Sequence, residues 1–484
     1  MNVLNGYEPH NVLKYFEQLS SVPHGSGNTK AISDLCVSFA QELGLDHYQD
    51  EFNNVIIYKD GTAGYENKDR VILQGHLDMV CIAAPDSNKD LHTDPIDIMT
   101  DGEYIWADKT SLGADDIIAP AMMFSILESN TLQHPPLCCV LTTDEETGMN
   151  GARNIDKSKV VGSKLINLDS EIEGSLVCGC AGALRAECLF DTEHEQTSPD
   201  DSFYILSIDG LLGGHSAIEI TKNRANAVRL LARLIYGVSL KWDVRLCSFF
   251  GGNFDNAIPT RAEAVVAVNT KDSDDFIRLA LKHEKLFVHE YSASDPGITV
   301  SAEESKDKMK TCISWLQTKS LMRCLCSVPD GLKETSSEFP GVAILSSNIG
   351  IAELSSEQFR FVSLIRSNKS GGKESILDIL TEIVEHDNGR VVVSNNYPEW
   401  EYNIHSVLRE VCMKTYQSLY NSEMESTITH GGIETAYFLS DNVKRDAISI
   451  GPQIDDIHSA RERISIKSIQ NTYRLLLSIL HDIV

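Results

Sequence analysis

The sequence predicts a doubly wound α/β domain with a mixed sheet, interrupted by an inserted α+β domain. Three observations carry this reading. The chain has 484 residues, more than one hydrophobic core ordinarily serves. Short apolar runs alternate with helically spaced ones through residues 1–186, and that texture returns over 398–484. Between them, over 187–397, the order becomes strand, helix, strand, strand, helix and then loosely repeats, as in an α+β layer with a mostly antiparallel sheet.

Taken in order, apolar residues from about Asn11 to Leu43 keep helical spacing. Val55 to Tyr58 and Val71 to Gln74 read as short buried strands, because a parallel strand covered on both faces is an unbroken apolar run. A helix from Ala119 to Glu128, a strand from Leu137 to Thr142 and a strand from Leu165 to Leu168 continue the alternation. The charged stretch Asp191 to Asp201 reads as a loop or boundary.

The inserted domain then shows a strand at Phe203 to Ile208, a helix at Arg224 to Tyr236, strands at Val244 to Phe250 and Ala262 to Val268, and a helix at Asp275 to His289. The pattern recurs through Ile298 to Ser301, Lys308 to Leu325, Val342 to Ser346, Phe359 to Ile365, Ser375 to His386 and Val391 to Val393. After Pro398, helices around Val407 to Leu419 and Ile464 to Leu480 enclose a strand at Ala447 to Ile450. No repeat of fixed short period is visible.

Lys and Arg number 42 against 70 Asp and Glu, a formal charge of −28 that repels phosphate backbones and anionic membrane surfaces. Nucleic acid and membrane are therefore not expected partners. The N-terminal residues lack the basic region and apolar stretch of a signal peptide, and no apolar run is long enough to span a bilayer, so a cytoplasmic location is expected. Cys138, Cys139, Cys178 and Cys180 read as buried reduced thiols, since no paired Cys-x-x-Cys motif is present. A phosphate-binding Gly-x-x-x-x-Gly-Lys-Ser/Thr is absent too, which argues against an ATPase.

Acidic and imidazole side chains gather where open α/β sheets place their sites, just past strands and at helix starts. His76 follows the strand beginning at Val71 and precedes Leu77-Asp78. Asp115 and Asp116 stand at the start of a helix. Glu145 and Glu146 follow Leu137 to Thr143, Asp169 follows Leu165 to Leu168, and His458 comes shortly after Ala447 to Pro452. Singly, each has a plain structural explanation: a hydrogen-bonded histidine, a helix cap, a solvated acidic pair. Their recurrence at strand ends is what suits a pair of divalent cations sharing one carboxylate, held by oxygen and imidazole and compatible with zinc, manganese or cobalt.

These segments resemble the motifs of the dinuclear zinc peptidases that include the aminoacyl-histidine dipeptidases, aminoacylase and glutamate carboxypeptidase. The aminoacyl-histidine dipeptidases are the most similar among them. The resemblance runs in family order through Gly75-His-Leu-Asp-Met79, Leu112-Gly-Ala-Asp115, Thr143-Asp-Glu-Glu-Thr-Gly-Met149, Leu168-Asp-Ser-Glu171, Cys178-Gly-Cys-Ala-Gly182, Gly213-Gly-His-Ser216, Asn256-Ala-Ile-Pro259, His430-Gly-Gly-Ile-Glu434 and Pro452 to Ser459.

The resemblance implies a catalytic domain over 1–186 and 398–484 and an inserted lid and dimerisation domain over 187–397. It implies one divalent metal on His76, Asp115 and Asp169 and another on Asp115, Glu146 and His458, with Asp115 bridging and zinc as the expected ion, manganese and cobalt being the alternatives. Asp78 is implied to orient His76, and Glu145 to be the general base for a water bridging the metals. His215 is implied to approach the oxyanion, with a partner subunit as one source, while Asn256 and Arg366 hold the substrate's terminal carboxylate and Gly432 lines the pocket. Read without the resemblance, His215 is a surface turn after two glycines, and Asn256, Arg366 and Gly432 are structural. Where the family carries a glycine-containing turn, Ile117 to Pro120 stand here, an expected change in one wall beside Asp115.

The expected activity is hydrolysis of dipeptides, Xaa-His among them, by a homodimer. An N-acyl amino acid deacylase, a tripeptidase or a carboxypeptidase would share the same site. A non-catalytic, metal-stabilised binding protein is disfavoured because Glu145 and all five presumed ligands are present.

Overall fold

A computed structural model describes residues 3–440 and 444–483. By its contacts the chain forms two compact units: 1–180, 400–428 and 433–484 make unit 1, and 181–399 with 429–432 make unit 2. The exchange at 180/181 lies between two strands, Ser175–Cys180 and Gly182–Asp191, with only Ala181 separating them. A boundary of that kind carries no turn signal.

Unit 1 is built on an eight-stranded mixed sheet in the order His47–Gln49, Val55–Lys59, Leu137–Thr142, Val71–His76, Lys164–Asn167, Asp446–Ser449, Ser175–Cys180 and Glu425–Thr429. Four neighbours at its centre, from Leu137–Thr142 to Asp446–Ser449, are parallel. Every residue of Val71–His76 and of Leu137–Thr142 is buried, which is why both read as unbroken apolar runs. The helix Ala114–Glu128 is buried from Ala114 to Leu127, the condition of a helix apolar on all sides. Ile117, Ile118, Ala119 and Pro120 therefore face the core, where Phe124 stacks on Phe39 and meets the edge of Tyr15. The helical spacing from Asn11 to Leu43 resolves into His10–Ser20 and Lys30–Glu42, separated by a segment containing Pro23, Gly25 and Gly27.

The sheet of unit 2 has nine antiparallel strands and contains two βαββαβ halves. The first comprises Asp201–Asp209, Ala227–Ser239, Arg245–Gly251, Ala262–Asn269, Ser273–Glu290 and Thr299–Glu304, with its strands in spatial order 4-1-3-2. The second comprises Gly182–Asp191, Trp315–Ser327, Ala343–Leu354, Gln358–Ser367, Gly372–His386 and Arg390–Tyr397, in the order 2-3-1-4, which is the same arrangement read from the other edge. The first half is inserted between the opening strand and opening helix of the second. The halves join where Phe250 and Gly251 pair with Glu353 and Ala352. The region from Lys308 to Leu325 divides into a strand, Thr311–Ile313, and the helix Trp315–Ser327, because the Ser314 hydroxyl caps the helix by accepting from the Gln317 N–H at 3.2 Å.

Among the described residues no helix is long and apolar enough to cross a membrane. Cys138, Cys139, Cys178 and Cys180 are all buried.

Candidate metal centre

The parallel strands of unit 1 present their C-terminal ends along one edge, where His76 is paired in register with Thr142 and Gln74 with Asn167. His76 ends its own strand; Glu145 and Glu146 lie three and four residues past Thr142, and Asp169 two past Asn167. His458, with φ of 54°, sits in the turn between Ile454–Asp455 and Arg463–Ser465. Asp115 comes from the first turn of Ala114–Glu128, where its φ and ψ of −79° and 102° depart from the helix and turn the backbone away from the axis.

The two oxygens of Asp115 face different imidazoles. Oδ1 lies 3.2 Å from His76 Nε2, and Oδ2 lies 3.3 Å from His458 Nε2. Asp169 Oδ1 is 3.4 Å from His76 Nε2, and Glu146 Oε1 is 3.0 Å from His458 Nε2. Asp115, Glu146 and His458 form one group whose ligand atoms lie within 4.8 Å of one another; His76, Asp116 and Asp169 form a second, and His76, Glu145 and Glu146 a third. Asp116 thus stands in the second group, although its Oδ2 also accepts the backbone N–H of His76 at 3.1 Å.

Asp78 is fully buried and serves both sides of the cluster. Its backbone carbonyl lies 3.0 Å from His76 Nδ1, which leaves Nε2 toward Asp115 and Asp169. Its carboxylate accepts the Ser26 hydroxyl at 2.8 Å and the backbone N–H groups of Glu145 and Glu146 at 3.0 and 3.3 Å.

Among the described residues, Asp115, Asp116, Glu145, Glu146 and Asp169 gather around two imidazoles, those of His76 and His458. Two carboxylates about 4 Å apart repel by roughly 4 kcal/mol at an effective dielectric near 20, so this arrangement calls for added positive charge. The acids register it. Burial, together with Asp169, Glu434 and Glu146 against an opposing His76, pushes Glu145 well above the usual carboxylate range. Burial likewise takes Asp169 up to about 6, again against His76. Asp115 is held low despite its burial by the hydrogen bonds from His458 and His76. Hard oxygen and imidazole donors, one carboxylate splitting its oxygens, and an excess of buried acid fit divalent cations.

His215, Asn256, Arg366 and Gly432 all belong to unit 2. His215 pairs with Ala257 across a two-residue ladder, and the Ser216 N–H donates to the Asn256 carbonyl at 2.8 Å; the Asn256 side chain is exposed. Arg366 is 7% exposed and donates from one guanidinium N–H to the Tyr397 hydroxyl at 2.9 Å, while its Nε finds no acceptor. Among the described residues of unit 2 no carboxylate pairs with it. A Cβ at Gly432 would lie 2.7 Å from the Tyr397 ring, so glycine is what allows this approach. The Arg366 charge reaches two histidines: after burial, it is the next cause holding His215 below its ordinary value and His430 down to about 3.

Sequence reasoning assigned no role to His430, whose Nε2 lies 2.8 Å from the Ser346 hydroxyl and Nδ1 2.8 Å from the Asn368 side-chain oxygen. It also passed over Glu434, fully buried, which accepts from Gln74 Nε2 at 2.6 Å and from the Thr142 hydroxyl. Burial pushes Glu434 up to about 8. Both sit in the glycine-rich segment His430 to Glu434, whose only local signal is a turn.

Residues 72–482 match the model of peptidase family M20/M25/M40. The cytosol non-specific dipeptidase of Escherichia coli (strain K12) is 31% identical over 483 residues, covering 100% of this chain and 99% of that protein. The crystal structure of aminoacylhistidine dipeptidase from Vibrio alginolyticus matches with a TM-score of 0.91 at 30% identity, over 99% of this chain and 97% of that one. Aminopeptidase PepT from Bacillus cereus, at 14% identity and a TM-score of 0.56 over 99% of each chain, shares the fold. With residues 72–482 matched and a relative 31% identical along the whole chain, this protein belongs to peptidase family M20/M25/M40.

Proposed function

We infer that the chain hydrolyses the peptide bond of dipeptides with broad side-chain tolerance, Xaa-His included, using a pair of divalent metal ions with zinc as the resident metal. The observation that carries this is the splitting of Asp115: one oxygen beside His76 and Asp169, the other beside His458 and Glu146. His76, Asp115 and Asp169 would hold one ion, and Asp115, Glu146 and His458 the other. Bound there, the ions supply positive charge that polarises the scissile carbonyl and acidifies the attacking water.

The remaining steps belong to side chains. Asp78 fixes the His76 ring and anchors the backbone of Glu145 and Glu146. Glu145 takes the proton from the attacking water and returns it to the leaving amine. His215, kept neutral by burial and by Arg366, offers an N–H to the developing oxyanion. Arg366, a buried guanidinium that donates to the Tyr397 hydroxyl, takes the substrate's terminal carboxylate, with Asn256 and the backbone at Gly432 beside it. Residues 1–186 and 398–484 act as the catalytic domain, and 187–397 as the lid through which two copies dimerise. A cytoplasmic location accords with the relative named for the cytosol.

The test is a mixed library of dipeptides, tripeptides and N-acyl amino acids, with products read by mass spectrometry. Dipeptides should be consumed first; chelation should stop the reaction, and two equivalents of zinc should restore it. Exclusive consumption of acyl amino acids or tripeptides would refute the substrate class, and full activity with one equivalent would refute the metal pair.

A further inference from the structure

We propose that Glu462 is a positioning residue for this metal centre: its carboxylate fixes the backbone that carries Asp115 and ties it to the turn that carries His458. The proposal rests on the metal-centre reading above. Glu462 is 2% exposed. Its Oε2 accepts the backbone N–H groups of Leu112 at 2.8 Å and Gly113 at 3.0 Å, and its Oε1 accepts those of Ala114 at 2.8 Å and Asp115 at 3.4 Å. Four consecutive N–H groups therefore converge on one carboxylate. They belong to the start of a helix, where such donors have no acceptor within the helix itself. Gly113 makes the convergence possible by taking φ of 69°, and a Cβ there would lie 2.7 Å from Met79 Sδ.

Satisfying orphan donors is ordinarily the work of a local Ser, Thr, Asn or Asp at the cap. Here the acceptor comes from 347 to 350 residues away. What that distance achieves is registration of two ligands. His458 and Glu462 share one turn, closed by the Glu462 N–H donating to the Ser459 carbonyl at 3.2 Å. The strand that follows, Arg463–Ser465, pairs with Tyr104–Ala107, a few residues before Leu112. The 3.3 Å approach of His458 Nε2 to Asp115 Oδ2 is thus closed through a short circuit of contacts: imidazole, turn, Glu462 carboxylate, Asp115 backbone. Since Asp115 faces both ligand groups, a loosened backbone at 112–115 degrades both at once.

Glu462→Gln keeps the side-chain volume but turns an acceptor oxygen into an amide N–H₂ facing backbone donors. The experiment compares zinc stoichiometry and affinity by chelator competition, the absorption spectrum of the cobalt-loaded protein, and kcat and KM on a dipeptide. The expected result is a native far-UV spectrum with the weaker metal bound about 10- to 100-fold less tightly and an altered cobalt spectrum. kcat should fall by a similar factor, with KM within about threefold of wild type. Glu462→Asp, which keeps two acceptor oxygens on a shorter stem, should fall between wild type and Glu462→Gln. A folded Glu462→Gln with wild-type affinity, cobalt spectrum and kcat overturns the proposal. Where Glu462→Gln does not fold, Glu462→Asp decides: weakened metal binding under a native spectrum supports it, and wild-type values overturn it. Wild-type protein that binds no metal pair would sink the metal-centre reading itself, whereas two tightly bound metals in both wild type and Glu462→Gln sink only the role of Glu462.

Discussion

The candidate metal centre of unit 1 and the Arg366 neighbourhood of unit 2 are opposite electrostatic problems. In the first, five buried or nearly buried acids share two imidazoles. In the second, a guanidinium that is 7% exposed has a phenol for company, and the histidine beside Ser346 and Asn368 stays neutral. A buried group left without its counter-charge costs several kcal/mol, so neither arrangement is explained by folding alone. One asks for cations and the other for an anion.

The largest effect should come from breaking the first region's chemistry while keeping its charge-binding. Glu145→Gln leaves His76, Asp115, Glu146, Asp169 and His458 in place, so both metals should remain by elemental analysis. kcat should drop by roughly 10²- to 10⁴-fold, the usual contribution of a placed general base. Metal loss in this variant would move Glu145 from base to ligand, a role its presence in the third ligand group with His76 and Glu146 makes worth excluding.

The next effect tests the second region. Arg366→Ala should lower kcat/KM about 10- to 100-fold for dipeptides with a free C-terminal carboxylate, in line with a charge-assisted hydrogen bond of about 1.5–3 kcal/mol. Dipeptide amides should lose far less. Equal losses on both would show that Arg366 supports the fold of unit 2 instead of receiving the carboxylate. Arg366→Lys should recover only part of the difference, because a point charge cannot reproduce the planar fork.

The two regions also differ in how far they could be read from the sequence. The first was legible because its parallel strands, buried on both faces, appear as unbroken apolar runs, and the candidate acid and imidazole residues follow them directly: His76 ends one, and Asp169 and Glu145 lie within three residues of others. Asp78 was assigned to His76, but its second task, anchoring the Glu145 and Glu146 backbone, depends on a tertiary approach that no spacing reveals. Arg366 lies inside a strand buried from Phe359 to Ser367 save one position, and nothing local tells whether its charge is paired. The strand Gly182–Asp191 went unread although Leu184, Ala186, Cys188 and Phe190 alternate with Arg185, Glu187 and Leu189, a period-two signal obscured by the charged stretch that follows. Glu462 was hidden most deeply, since a single acid after His458 gives no hint of a nest formed around residue 113.

The smallest effect sharpens the comparison through pH. His430 is held down to about 3 by burial first and by Arg366 second, whereas in the unfolded chain it titrates near its ordinary 6.5. Between those values the unfolded chain binds a proton that the native one refuses, so acid draws the equilibrium toward unfolding. Stability from this group is whole above pH 6.5 and declines as pH falls toward 3, with a slope approaching about 1.4 kcal/mol per pH unit. His430→Asn removes the group, so its urea-unfolding free energy should fall less steeply than the wild type's between pH 6 and 4, a window set by those two values. Arg366→Ala removes the second cause and brings the folded value partway back toward 6.5, so its acid limb should start at the same pH but level off sooner, with a total loss between those of wild type and His430→Asn. An acid limb identical in wild type and His430→Asn would mean that His430 takes up its proton in the folded protein, and the buried positive field assigned to Arg366 would then have another charge offsetting it.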